Sequence, residues 1–204
     1  MTGIKNIIFD FGGIFIDVDY KKTEQAFINA GITNFHHLYS QHNASPLFEQ
    51  FEKGEIDETK FFQQLRTISG SQLSDQQIIQ CWNSMLGDYY PDAIEKARAL
   101  KGKYRLFLFS NTNIIHYNFV MKKYEEQFGK RNFTDLFEKA YFSHTAGLRK
   151  PYPEAFEWVL KDAGITAAET LFIDDTISNI EGAQKAGMPT IFLPPPQKLS
   201  QLSL

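Results

Sequence analysis

The chain has 204 residues, 43% of them hydrophobic and 22% charged. That is the balance of a soluble globular protein with one good core, or a core and a small accessory unit. A net charge of −3 argues against nucleic acid or an anionic membrane as partner, the single Cys81 excludes an intrachain disulfide, and no apolar run has the length of a membrane span. No leader segment is evident, so the expected location is the cytoplasm.

Ile7-Ile8-Phe9 completes an apolar run that begins at Ile4, is broken by Lys5 and Asn6, and reads as a buried strand. Asp10 follows directly, then Gly12 and Gly13, where a backbone turns sharply or approaches something closely. Taken alone, Asp10 fits a solvated turn and a ligand crevice beyond a parallel strand equally well. From 18 to 88 the pattern is helical, with no strand expected. Residues 23–30 form a predicted helix ended by Gly31. Residues 45–53 carry Leu47, Phe48 and Phe51 at helical spacing and stop at Gly54. Asp57 can cap a third helix with Phe61, Phe62 and Leu65 on one face. Ser74-Asp75-Gln76-Gln77 is a capping box that opens a fourth, with Ile78, Ile79, Trp82 and Leu86 inward. Nineteen Phe point to aromatic packing in the core or between two packed units. Cys81 reads as a buried, inert thiol. His36, His37, His42, His116 and His144 show no metal-ligand spacing, and the His36-His37 pair points apart on any regular element.

Past Tyr89 strands and helices alternate. Pro91 can start a helix carrying Ile94, Ala97 and Leu100 and ending at Gly102. Residues 104–109 are a predicted strand, 114–128 a helix and 140–143 a short strand. Pro153 leads a helix with Phe156, Val159, Leu160 and Ala163, stopped by Gly164. Residues 170–173 and 190–193 are predicted strands, flanking a helix marked by Ile180, Ala183 and Ala186. Pro194, Pro195 and Pro196 end regular structure, and the tail to Leu204 is expected to be loose. This alternation is α/β: a Rossmann-like parallel sheet with helices on both faces, from residues 1–17 and 89–204. Residues 18–88 then form an inserted, all-helical unit.

Three more polar clusters follow strands or precede helices. Ser110-Asn111-Thr112 can donate to phosphate oxygens, or serve simply as a helix-capping cluster. In Arg149-Lys150-Pro151, Lys150 can neutralise a phosphate or carboxylate, or lie in an exposed basic loop. Asp174 and Asp175, with Asn179 one turn on, repel each other unless a cation offsets them, and oxygen donors of this kind suit Mg2+.

In this order, Phe9-Asp10-Phe11-Gly12-Gly13, Ser110-Asn111-Thr112, Lys150-Pro151 and Asp174-Asp175 with Asn179 resemble the haloacid dehalogenase superfamily of hydrolases and phosphatases. The insertion sits where that superfamily carries its type-1 caps. Residues 48–56, 110–113 and 147–151 are similar to small bacterial sugar-phosphate phosphatases acting on glucose 1-phosphate. The resemblance implies that Asp10 is a nucleophile forming an aspartyl-phosphate, with Ser110 and Lys150 holding the phosphoryl group and Gly12, Gly13 and Asn111 around it. It implies Mg2+ bound by Asp10, the Gly12 carbonyl and Asp175, with Asp174 and Asn179 in support. One position departs from the pattern: the phosphatases usually have a second Asp two residues after the nucleophile, as general acid and base, and here it is Gly12. Asp17 or Asp19, at the junction with the insertion, are the acids near enough in sequence to substitute, although a solvated hinge role fits them better.

The expected function is therefore a Mg2+-dependent phosphatase acting on a small phosphorylated metabolite, a sugar phosphate above all. Two alternatives stand beside it: a non-catalytic binder of phosphometabolites, suggested by Gly12, and a 2-haloacid dehalogenase, which would have no use for Asp174-Asp175.

Overall fold

The computed structural model describes residues 3–40, 43–129 and 131–204; the expectation for His42 falls outside them. Strand β1 (Asn6–Phe9) is buried along its whole length. It leads to β2 (Ile16–Val18) and helix α1 (Tyr20–Asn29), which starts three residues earlier than the pattern suggests because Asp19 accepts the Lys21 amide at its N-terminus. A short turn of helix over Phe35–His37 precedes β3 (Tyr39–Ser40) and β4 (Asn43–Ala44). In it the His36 and His37 rings lie 3.8 Å apart rather than diverging. Then come α2 (Pro46–Glu52), α3 (Glu58–Ser69), capped by Asp57, and α4 (Asp75–Asn83), opened by the Ser74/Gln77 capping box.

Strand β5 (Leu86–Tyr89) pairs antiparallel with β2, and β3 pairs antiparallel with β4. The expectation of no strand in 18–88 is thus corrected. These are two- to four-residue pieces that exist only because a partner strand lies alongside, and local periodicity carries no trace of that.

The remaining elements are α5 (Pro91–Leu100), β6 (Arg105–Ser110), α6 (Ile114–Phe128), β7 (Lys139–Phe142), α7 (Ser143–Ala146), α8 (Pro153–Ala163), β8 (Thr170–Asp174), α9 (Ile177–Lys185) and β9 (Thr190–Phe192). The five strands β7-β6-β1-β8-β9 form one parallel sheet. Its side chains alternate between two cores. Ile7, Phe9, Leu106, Leu108, Leu171 and Ile173 face α5 and α6 on one side. Ile8, Phe107, Phe109 and Phe172 face α8 and α9 on the other. The α/β class and the helices on both faces are as expected.

A third cluster is built from Phe27, Phe35, Phe48, Phe51, Phe61, Leu65, Ile78, Trp82 and neighbours up to Met85, joined by Ile115 from α6. Phe27–Phe35 and Phe51–Phe61 stack at 4.2 Å between centroids, and burying each such ring stabilises by roughly 1.5–3 kcal/mol. This is where much of the phenylalanine excess goes. Val18 and Leu86, on the paired strands β2 and β5, pack against both this cluster and the sheet core. Cys81 is only half-buried, its thiol pushed up by burial.

The C-terminal tail is not loose. Leu199 is 1% exposed, Lys96 Nζ donates to the Leu202 carbonyl at 2.7 Å, and the Ser200 hydroxyl donates to Asp92 at 2.7 Å. The proline run breaks regular structure, but the apolar residues after it still find the groove beside α5. Leu199→Ala is expected to destabilise the protein by about 2–4 kcal/mol, the range for a buried leucine. Urea unfolding measures it, and a change below 0.5 kcal/mol, the ordinary surface value, would mean that the tail does not dock in solution.

Candidate active site

Strands β1 and β8 lie side by side, and the chain builds outward from them in opposite directions, to β6 and β7 on one side and β9 on the other. That divergence opens a crevice beyond their carboxyl ends. Asp10 directly follows β1, and Asp174 and Asp175 close β8. Their carboxylate oxygens come within 4.8 Å of one another. Lys150, 1% exposed, places Nζ 2.5 Å from Asp10 Oδ1 and 2.8 Å from Asp174 Oδ2.

The two adjacent acids at the end of β8 are used differently. Asp174 is fully buried and its oxygens are taken up by protein donors: the Thr176 amide at 2.7 Å, Asn179 Nδ2 at 3.0 Å and Lys150. Asp175 faces the cavity and keeps one oxygen over Gly13. A Cβ at Gly13 would come within 2.1 Å of that oxygen, and its φ of +69° also favours glycine. The Gly13 amide donates to the Ile16 carbonyl at 2.9 Å. The absence of a side chain at Gly13 makes room for Asp175.

Asn111 has a structural task beside its place at the cavity. Its side chain donates to the Lys150 carbonyl and accepts from the Lys150 amide, both at 2.9 Å. The side-chain amide thus holds the lysine's backbone in place. Helix α9 supports the same loop from below, where a Cβ at Gly182 would meet the Pro151 carbonyl at 2.0 Å. Sequence reading passed over this glycine, although an unexplained Gly inside a helix is a known sign of close packing.

Three carboxylates around one ammonium leave the pocket short of positive charge. Burial raises Asp10, Lys150 opposes it and Asp174 and Asp175 add to it, leaving Asp10 at about 8. Burial and the adjacent Asp174 raise Asp175 to about 6. Burial works to discharge Lys150, but Asp10 and Asp174 outweigh it and hold its pKa above the ordinary lysine value. Hard oxygen donors so crowded and under-compensated fit a divalent cation of the Mg2+ type. Asp10, Gly12 and Asp175 line the cavity in front of them.

That cavity has a volume of about 590 Å³, in the range for a small organic ligand. Ser110 and Lys150 line its floor, and Tyr20, Tyr39 and Glu52 reach it from the helical segment. Glu52 accepts from Tyr39 Oη at 3.2 Å and pairs with Arg149 Nη2 at 3.1 Å. Burial lifts its carboxyl above the ordinary value against the pull of Arg149 and Tyr39. The Tyr20 hydroxyl is raised by burial and then by Glu52, Asp175, Asp10 and Asp174. None of Tyr20, Tyr39 and Glu52 was singled out from sequence. Only the Phe48–Ile56 stretch hinted at this wall.

The acids that might replace the one missing at Gly12 are engaged elsewhere. Asp19 caps α1, and Asp17 accepts from Tyr90 Oη at 3.3 Å. His116 also lines the cavity, but its Nε2 lies 3.1 Å from the Trp82 carbonyl and its Nδ1 3.2 Å from Asn113 Nδ2. Burial lowers it to about 4, so it is neutral. A Cβ at position 12 would meet Val18 Cγ2 at 3.2 Å, a tight contact from which that side chain would have to give way.

Residues 4–187 match the model of the haloacid dehalogenase-like hydrolases. The chain belongs to that family. This hydrolase is 32% identical to a D-ribitol-5-phosphate phosphatase of Bacteroides thetaiotaomicron, over 92% of its own length and 90% of the relative's. It is also 32% identical to a sesquiterpene phosphatase of Aspergillus oryzae, over 92% and 88%. A crystal structure of a family enzyme from Bacteroides thetaiotaomicron, an Asp-to-Ala variant with magnesium and inorganic phosphate, superposes with a TM-score of 0.91 at 35% identity, covering 97% of this chain and 98% of that one. An L-2-haloacid dehalogenase from Xanthobacter autotrophicus, 17% identical over 93% of this chain and 77% of that one with a TM-score of 0.59, shares the fold alone. Among the described residues, no helix is long and apolar enough to cross a membrane.

Proposed function

We propose that this hydrolase is a Mg2+-dependent phosphatase of small phosphorylated metabolites, with sugar and polyol phosphates as its natural substrates. The observation that carries this reading is the meeting of Asp10, Asp175 and Lys150 in one cavity. Asp10 is the nucleophile. Its oxygen forms a bond to phosphorus as the bond to the substrate's alcohol oxygen breaks, giving an aspartyl-phosphate while the departing alkoxide takes its proton from water. Water then attacks phosphorus, releasing inorganic phosphate and restoring the carboxylate. Lys150 and Ser110 hold phosphoryl oxygens in line with Asp10 and offset their charge. Mg2+ held by Asp10, the Gly12 carbonyl and Asp175 would supply the remaining positive charge that lets one anion approach another. Asp174 and Asn179 are positioning residues, the first for Lys150 and the second for Asp174.

We assign 1–17 and 89–204 to the catalytic core and 18–88 to a cap that closes the cavity and contacts the leaving group. The cluster running from Phe27 to Met85, almost independent of the sheet, supports this division. We place its action in the cytoplasm, and the low net charge supports a role without nucleic acid or an anionic membrane as partner.

The test is phosphate release from a panel of sugar and polyol phosphates with Mg2+ and with a chelator. Release only with Mg2+ is expected. Phosphate binding without turnover would leave a non-catalytic binder, and halide release indifferent to chelator a dehalogenase. Gly182→Ala, which drives a methyl group into the Pro151 carbonyl and so shifts Lys150, is expected to lower kcat on the order of 100-fold. An unchanged kcat in a folded variant would show that Lys150 does not depend on that packing.

A further inference from the structure

Arg149 stands directly before Lys150, yet its side chain pairs with the other unit. Its Nη2 lies 3.1 Å from Glu52 Oε2 and its Nη1 3.9 Å from Glu49 Oε2, both acids on α2. Glu52 is fixed on the cap side. It is 6% exposed and accepts from Tyr39 Oη at 3.2 Å, and the Tyr39 ring packs on Phe48 and Trp82 at 4.9 and 4.6 Å between centroids. Arg149 is fixed on the core side, because the peptide that joins it to Lys150 donates its N–H to Asn111. A second contact lies beside this pair. Gly54, two residues beyond α2, has a φ of +68°, and a Cβ there would come within 2.1 Å of the His144 carbonyl oxygen in α7. Only a glycine lets the end of α2 seat so closely on the core.

The joint is sealed without being satisfied. Glu52 Oε2 and Arg149 Nε are out of reach of water and have no hydrogen bond among the described residues. Such groups are costly while buried, and moving α2 away from Arg149 would hydrate both. The attraction of the pair is thus offset by desolvation, so it holds the closed arrangement without locking it. Elsewhere the two units are joined by the chain itself, through the paired strands β2 and β5, and by Trp82 of α4 against His116 of α6. A chain hinge together with a weak, separable joint is the arrangement of a two-state closure.

Resting on the phosphatase reading and on the division into core and cap, we propose that Arg149 is a positioning residue that latches the cap to the loop of Lys150, so that closure of the cavity and the grip of Lys150 on phosphate form one coupled equilibrium. When α2 lets go, the peptide shared by Arg149 and Lys150 loses its tie to the cap, and phosphate leaves as the cavity opens.

A ligand that binds only the latched state has its apparent dissociation constant raised by the same factor as every other such ligand when the latched fraction falls. The experiment therefore measures, on the full chain with Mg2+, calorimetric binding of inorganic phosphate and KM for two unrelated esters, a pentitol phosphate and p-nitrophenyl phosphate. Glu52→Gln keeps the shape of the side chain and removes its charge. Gly54→Ala leaves the ion pair intact and adds a methyl group that cannot seat against the His144 carbonyl. Each should weaken phosphate binding roughly tenfold and raise both KM values by the same factor. In the wild type, phosphate should slow hydrogen exchange in α2 as well as in residues 147–151, and in the variants in 147–151 alone. Variants that melt at lower temperature but bind phosphate as the wild type does would reduce the contact to a structural tie and overturn the proposal. A loss confined to one ester would overturn it too, because Glu52 would then be touching the leaving group. A wild type that binds phosphate and protects α2 but hydrolyses no ester would overturn the phosphatase reading and leave the latch standing. A wild type in which phosphate protects 147–151 alone would overturn the latch and leave the phosphatase, and absence of phosphate binding would overturn both.

Discussion

Asp10→Asn should reduce phosphate release on the order of 10⁴-fold or more, the scale seen when a nucleophile is removed from a site whose other parts stay in place. The amide is nearly the same shape, so Lys150, Asp174 and Asp175 keep their positions, but it cannot form the acyl phosphate. Phosphate binding should survive, and even tighten. Removing one of three carboxylates leaves Lys150, which now pairs with Asp10 at 2.5 Å, freer to meet an anion. Single-turnover phosphate release and calorimetric phosphate binding check the two halves of this expectation. Turnover above 1% of wild type would sink Asp10 as the nucleophile.

Lys150→Met should be the most destabilising single change in the site. It leaves the buried Asp10 and Asp174, with the half-buried Asp175 beside them, and no cation, and breaking a buried pair in this way costs about 3–5 kcal/mol. The pH dependence follows from the sign of the carboxyl shifts. Asp10 and Asp175 are already raised, to about 8 and about 6, so the folded state holds protons that the unfolded chain releases at lower pH. Their protonation stabilises the fold at low pH, and that contribution is lost as pH rises through 6 to 8. Without its lysine the variant should lose stability more steeply over that window, and Mg2+ should restore it most at the alkaline end. Mg2+ binding to the wild type should strengthen over the same window, because the cation must displace those protons. Thermal melts at pH 6 and pH 8, with and without Mg2+, read all of this. A Lys150→Met variant as stable at pH 8 as the wild type would mean that the lysine is not what holds the acids together.

The structure also separates two acids that sequence alone treats as a pair. Asp174 and Asp175 are neighbours, so their backbone environment is nearly the same. What distinguishes them is strand alternation and what lies across the crevice. Asp174 turns inward to Thr176, Asn179 and Lys150, while Asp175 turns outward over Gly13. Asn111 shows the converse. A polar residue after a strand invites assignment to the ligand, yet its amide holds the backbone of Lys150, 39 residues further on.

What the amino-acid sequence determined by itself is local or strongly periodic. The helix caps at Asp57 and Ser74, the apolar strands, the α/β alternation and the acids at strand ends all rest on interactions within a few residues, where chain order and space coincide. Only the tertiary structure decided which of these groups share a cavity. Glu52, which accepts from Tyr39, reaches the core's Arg149, Gly182 lets α9 approach Pro151, and the tail returns to α5 through Leu199. Those contacts join residues up to about a hundred positions apart. They depend on sheet register and on which helix faces meet, and no local pattern of hydrophobicity or hydrogen bonding encodes either one.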